Sequence, residues 1–204
     1  MKKFTLLIAA VLMSAVMYGQ FHIGPQIGYT SSNLTTKGVD IQSSLNNNFV
    51  IGIFARIGNK VYLQPELNYL TQGNTFKFSH ATIQQKVDLK AIQVPLSLGL
   101  QLLNLKVVKL HIFGGATANF IVNKNVSPAE GLNLTGDYLT ADNFKNVNYQ
   151  YQFGAGLDIL MLTLDVKYYG GISDFTDGSL TYSGGTISSS KSNIFMVTLG
   201  WRIL

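Results

Sequence analysis

Six charged side chains stand within otherwise apolar, alternating stretches of the chain: Arg56, Glu66, Asp158, Asp165, Lys167 and Arg202. Three cations against three anions make a neutral set. The chemistry open to it is mutual ion pairing in a water-poor interior, or passage of a proton or ion along the same groups. Asp158 and Asp165 flank one tight turn, and pairing of the last segment with the one before it places Arg202 near Asp165, so pairing is a simpler role for them than acid–base catalysis. Hydrolysis would need a nucleophile and a base side by side. His22, His111 and Ser97 fall on the polar faces of different segments and His80 in a loop, so no Ser/His/acid group gathers and the chain is read as not an enzyme.

Other motifs carry little. The glycine-rich GGATAN (114–119) lacks the lysine and the helix that follow a phosphate-binding loop. Asn33-Leu34-Thr35 and Asn125-Val126-Ser127 match the glycosylation-acceptor pattern and read as solvated loop sequence. The absence of cysteine excludes disulfides, Cys-ligated zinc, iron–sulfur clusters, thiol catalysis and lipoprotein acylation together, and neither a cofactor nor a metal is expected.

The elements that must position the charged set follow from composition and period. The 204 residues are 47% hydrophobic and only 12% charged, with 20 glycines and a mean hydropathy of +0.21. Soluble domains carry about 25% charged residues, so an ordinary cytosolic enzyme is disfavoured from the outset. Lys2 and Lys3, the apolar run from Phe4 to Val16 and the small Gly19 describe a secretory signal peptide over residues 1–19, too short to be a membrane helix. Residues 20–204 then form one domain, and the formal charge falls from +5 to about +3. The remaining basic residues are scattered, which argues against a nucleic-acid partner despite a pI near 9.3.

Beyond the signal the hydrophobic period is two. Pro25, Ile27 and Tyr29 alternate with Gly24, Gln26 and Gly28; Val61, Leu63, Leu67 and Tyr69 with Tyr62, Gln64, Glu66 and Asn68. Tyr149, Tyr151, Phe153, Ala155 and Leu157 alternate with Gln150, Gln152, Gly154, Gly156 and Asp158. Eight such stretches recur, at about 21–30, 49–57, 61–69, 92–102, 110–122, 147–159, 162–172 and 195–203. Each has one uninterrupted apolar face and one face holding Gly, Gln, Asn and all the charges. A soluble barrel would turn the apolar face inward; an aliphatic coat free of charge is what lipid contact requires. With no water in hydrocarbon, the strands must close on themselves. The fold class is therefore all-β, an eight-stranded antiparallel up-and-down transmembrane barrel. Pro25, Pro65 and Pro95 cannot donate a ladder hydrogen bond and mark where bulges would fall.

The connections alternate in length. Long polar loops span Ser31–Asn48, Thr71–Lys86, Asn123–Asn146 and Ser173–Ser192, while Gly58-Asn59-Lys60, Leu103 to Lys109 and Leu160-Met161 are short. Outer-membrane barrels have tight periplasmic turns and long extracellular loops, which places both termini in the periplasm. On that orientation Tyr29, Phe49, Tyr69, Phe120, Tyr149 and Phe195 form an outer aromatic girdle, with Phe21 and Trp201 at the periplasmic interface. Eight strands leave room only for side chains inside, so a plugged lumen is expected. Gly154 and Gly156 are read as making room there for large neighbours.

YLQPELNYLTQG (62–73), AIQVPLSLGL (91–100), GAGLDI (154–159), LTLDVKYYGGISD (162–174) and NIFMVTLGWRIL (193–204) resemble the PorT-like outer-membrane β-barrel family of the Bacteroidota. The family ends on an outward aromatic, where this chain has Ile203. The resemblance implies a structural or interaction role as an accessory to secretion, with extracellular loops carrying Tyr138, Phe144, Phe175 and Tyr182. Two alternatives stay open: an outer-membrane barrel that binds a small apolar ligand or acts as a minor channel, and a lipid-active outer-membrane enzyme. The partners expected are outer-membrane lipid and lipopolysaccharide, the barrel-assembly machinery during insertion, and secretion-apparatus proteins.

Overall fold

The computed structural model describes residues 21–36, 48–77, 84–126, 146–173, 180–182, 185–187 and 190–203. The signal peptide, His80 and the loop residues Tyr138, Phe144 and Phe175 lie outside them. Every alternating stretch becomes a strand: β1 (Phe21–Thr36), β2 (Phe49–Gly58), β3 (Val61–Lys77), β4 (Gln84–Leu105), β5 (Val108–Val126), β6 (Val147–Ile159), β7 (Leu162–Gly171) and β10 (Ser190–Trp201). These eight close into an antiparallel barrel in the order β1-β10-β7-β6-β5-β4-β3-β2. Each strand thus pairs with its sequence neighbours, and β1 pairs with β10 to remove the last edge.

Several strands run further than the alternation indicates. β1, β3, β4, β5 and β10 continue into stretches read above as loop, so that Asn74 pairs with Val87 and Thr35 with Lys191. Polar residues pair as well as apolar ones once a ladder is established, which is why hydropathy alone stops short. Within the connection from β7 to β10, β8 (Leu180–Tyr182) and β9 (Gly185–Ile187) form a separate hairpin. The register shifts fall at Lys90/Ala91 and Gln101/Leu103 rather than at the prolines. Pro95 keeps its place opposite Thr117, because the ladder tolerates a missing donor without inserting a residue.

Following paired residues once around the wall from Phe21 leads through Ile57, Leu63, Leu98, Gly114, Phe153, Tyr168 and Phe195 to Ser31. The path returns ten residues above its start, a shear that tilts the strands by about 40°. Allowing for that slope, Tyr29, Phe49, Tyr69, Phe120, Tyr149 and Phe195, on six different strands, fall within about three residues of one level. Phe21 and Trp201 lie about eight residues lower, ~20 Å along the axis, close to the height of an outer-membrane apolar band. The six upper aromatics and Trp201 are exposed on the outside and Phe21 is half-buried. Between the two levels the outward positions are mostly aliphatic or small, among them Ile53, Leu67, Leu96, Leu164 and Val166, the exceptions being the rings of Phe153 and Tyr168.

Four outward rings on β6, β7 and β10 form a continuous cluster that alternation does not reveal. Phe153 and Phe195 each lie 5.0 Å from Tyr168, and Tyr151 lies 6.4 Å from Phe153. The Tyr151 ring covers Gly170, its cross-strand partner, where a Cβ would collide with it.

Candidate functional site

The inward side chains form layers along the barrel axis. At the short-turn end, Arg56 of β2 donates through Nη1 to Asp158 Oδ2 of β6 at 2.8 Å and through Nε to Gln64 Oε1 of β3 at 2.8 Å. Its guanidinium sits 4.5 Å over the Tyr62 ring. Arg202, just past β10, reaches the same Asp158 oxygen at 3.2 Å and donates through Nη2 to the Leu160 carbonyl. His111 of β5 places Nε2 at 3.0 Å from Asp165 Oδ1 and Nδ1 at 3.7 Å from Asp158 Oδ1.

One level up, Lys167 of β7 contacts both oxygens of Glu66 on β3, at 2.6 and 2.7 Å. Glu66 also accepts from Gln26 and Gln64, each at 2.8 Å. Lys167 Nζ is 3.9 Å from Asp165 Oδ2, which links the two levels. Five of the six charged residues are therefore joined through Gln64 and His111 into one ring of contacts, with Arg202 attached to it at Asp158, and all of them are buried. In so dry a place each carboxylate needs a cation, and each has one. Above the charges lies an amide belt. Asn119 donates to Asn148 at 2.8 Å and to Gln150 at 2.9 Å, and Gln152 donates to Ser97 at 2.8 Å.

Toward the long-loop end the interior turns apolar. Val50, Leu70, Ala91, Tyr169, Ile194 and Met196 form one buried cluster, with Ile121 packed against it and the Tyr169 hydroxyl 3.7 Å from Met196 Sδ.

Two features of the interior differ from the sequence reading. Arg202 pairs with Asp158 rather than Asp165, because the β7–β10 register sets Thr198 opposite Asp165 and carries Arg202 four residues lower, to the level of the turn. The inner face is not polar throughout, since Leu70, Ala91 and Ile194 lie just beyond the alternating stretches, where the strands continue and turn these apolar side chains inward. The sequence places His111 inward but does not join it to the charges. Its signal is Gly156, directly opposite it, whose missing Cβ is the space the imidazole occupies. Phe113 stands over Gly154 in the same way. Ser97 and His111 have separate partners, Gln152 and Asp165.

A closed barrel of this construction meets its counterpart in sequence as well. The family model described as outer membrane protein beta-barrel domain matches residues 13–177. The chain belongs to that family. Among solved structures, this outer-membrane β-barrel protein is similar to the outer membrane protein OprG from Pseudomonas aeruginosa, with a TM-score of 0.54, 11% identity, and 90% of this chain and 95% of that one covered. It is also matched to Ail, the attachment invasion locus protein of Yersinia pestis, with a TM-score of 0.46, 14% identity, and 90% and 99% coverage. Identities so low speak to fold alone. No curated protein matches the chain at a significant level.

Proposed function

We propose that this chain is a small outer-membrane anchor, closed to solutes, whose long loops face the cell exterior and engage a protein partner as a PorT-like accessory to secretion. The observation that carries the reading is the filled interior: Lys167 and Glu66 meet in mid-barrel with both side chains fully buried, and the apolar cluster packs above them. Both termini are periplasmic in this reading, and the signal peptide over residues 1–19 delivers the chain. The barrel performs no catalysis, consistent with Ser97 and His111 being tied to separate partners. The partners are outer-membrane phospholipid and lipopolysaccharide, the barrel-assembly machinery during insertion, and a secretion-apparatus protein at the loops. The apolar cluster beneath the loops favours a second reading, a site for a small apolar molecule.

Two measurements test the proposal. In planar bilayers the folded protein is expected to give no steady conductance, and open-channel steps would overturn the closed lumen. Photocrosslinking from positions in the Asn123–Asn146 loop in intact cells is expected to capture a secretion-apparatus protein. Recovery of lipid alone would overturn the accessory role.

A further inference from the structure

Three lysines and a group of aliphatic turn residues gather at the short-turn end of the barrel. Lys60 belongs to the β2–β3 turn, and its carbonyl accepts from Gln101 N at 2.7 Å, which seats it against β4. Lys106 sits at the tip of the β4–β5 hairpin, while Lys109 lies opposite Asn104 on that hairpin and opposite Asp158 of β6, on the inward face that His111 shares. Lys60 and Lys106 are exposed and Lys109 is half-buried. Lys60 and Lys106 have no carboxylate partner among the described residues, whereas Arg56, Lys167 and Arg202 in the lumen are all paired. Leu103, Leu105, Val107, Leu160 and Met161 are exposed by 52 to 70% on the same rim.

Two further observations give this rim a direction. The β4–β5 hairpin continues past its register shift, so that Leu105 lies about four residues below the level of Phe21 and Trp201, where lipid head groups would stand. Lys106 and Leu160 hold φ values of 54° and 53°, a left-handed backbone that glycine or asparagine adopts with less strain. A turn that needed only to reverse the chain would carry those residues. Here it carries a cation and an aliphatic side chain. The aliphatic positions continue the lipid-facing surface of the wall above, and the lysines complement a negative charge. Neighbouring Leu160 and Val107 are held together, with Leu160 N donating to the Val107 carbonyl at 3.1 Å, so the two turns make one surface.

We propose that this rim binds anionic glycerophospholipid, Lys60 and Lys106 taking head-group phosphate and the five aliphatic residues resting among glycerol and upper acyl carbons. The inference rests on the orientation proposed above, which brings the short turns to the phospholipid leaflet. A basic residue beside an anionic lipid surface favours binding about fivefold.

Trp201 is the only tryptophan and lies on β10, across the barrel from β4. It therefore serves as an internal control. The probe is a W201F/L103W variant, whose one indole stands beside the lysines. Both it and the native protein are reconstituted in phosphatidylcholine vesicles containing either brominated phosphatidylglycerol or brominated phosphatidylcholine. Quenching at position 103 is expected to favour phosphatidylglycerol by about tenfold or more in relative association, while native Trp201 shows little preference. Adding K60Q and K106Q should bring the two lipids to equality at position 103, with a shift in electrophoretic mobility between boiled and unboiled samples as proof of folding. Equal quenching before the lysines are changed would overturn the inference and leave the rim to a protein. The vesicle result does not depend on orientation in the cell. Labelling of a cysteine placed within residues 37–47 on intact cells reads orientation separately, so each failure is recognisable by itself.

Discussion

Lys167 of β7 and Glu66 of β3, 101 residues apart in sequence and four strands apart in either direction around the wall, meet inside the barrel through two contacts of 2.6 and 2.7 Å. They span the lumen and tie opposite walls together. Both side chains are fully buried, so neither charge has water to fall back on.

Removing one partner should therefore cost far more than removing both. Lys167→Met leaves Glu66 uncompensated and is expected to lose about 3–5 kcal/mol of folding stability. Combining it with Glu66→Gln should recover most of that. Urea titrations in lipid vesicles check the pair, and equal losses in the single and double variants would refute the coupling.

The two arginines on Asp158 are not equivalent. Arg56 also holds Gln64 and covers Tyr62, whereas Arg202 lies at the rim and its loss leaves Asp158 with Arg56 at 2.8 Å. Arg56→Met should cost about 3–5 kcal/mol and Arg202→Met roughly 1–2 kcal/mol. The same titrations rank them, and a reversed order would reassign the centre of the network.

Gly99 lies under the Tyr62 ring, which occupies the space a Cβ would need. Gly99→Ala should push Tyr62 away and disturb the Arg56 guanidinium above it, at a cost of about 1–3 kcal/mol. In a Tyr62→Leu background the same change should cost less, since the ring is gone. Thermal unfolding of the four proteins measures the difference.

Depth on the outer face gives a fourth test. Val166 points outward near mid-height and Ile203 near the short-turn end, each about half exposed. Val166→Arg should destabilise by about 2–4 kcal/mol in a bilayer and Ile203→Lys by about 0–1 kcal/mol. Similar penalties at both sites would contradict the assigned membrane levels.

Period two and the absence of charge on one face were enough to establish strands, their facing and closure, because lipid on one side and backbone hydrogen bonding on the other leave few arrangements. Residues such as Ile27, Glu66 and Tyr149 had their inward or outward sense settled by sequence position alone, since neighbours in a strand point to opposite faces. Loop alternation set the hairpin order for the same reason. Strand ends were less legible: Thr71 to Lys77 carries no apolar alternation, yet pairs in register with residues 84–90.

Only the closed tertiary structure decided which inward groups meet. Partners such as Lys167 and Glu66, or Arg56 and Asp158, come from strands that are not neighbours, and their heights depend on a shear of ten residues accumulated over eight strand pairs. No single pairing predicts that sum, and even Arg202 reaching Asp158 and His111 reaching Asp165 each take two successive registers. Sequence determined the two faces of every strand through local geometry. Contacts across the lumen were left to closure, because they are set by the whole circumference at once.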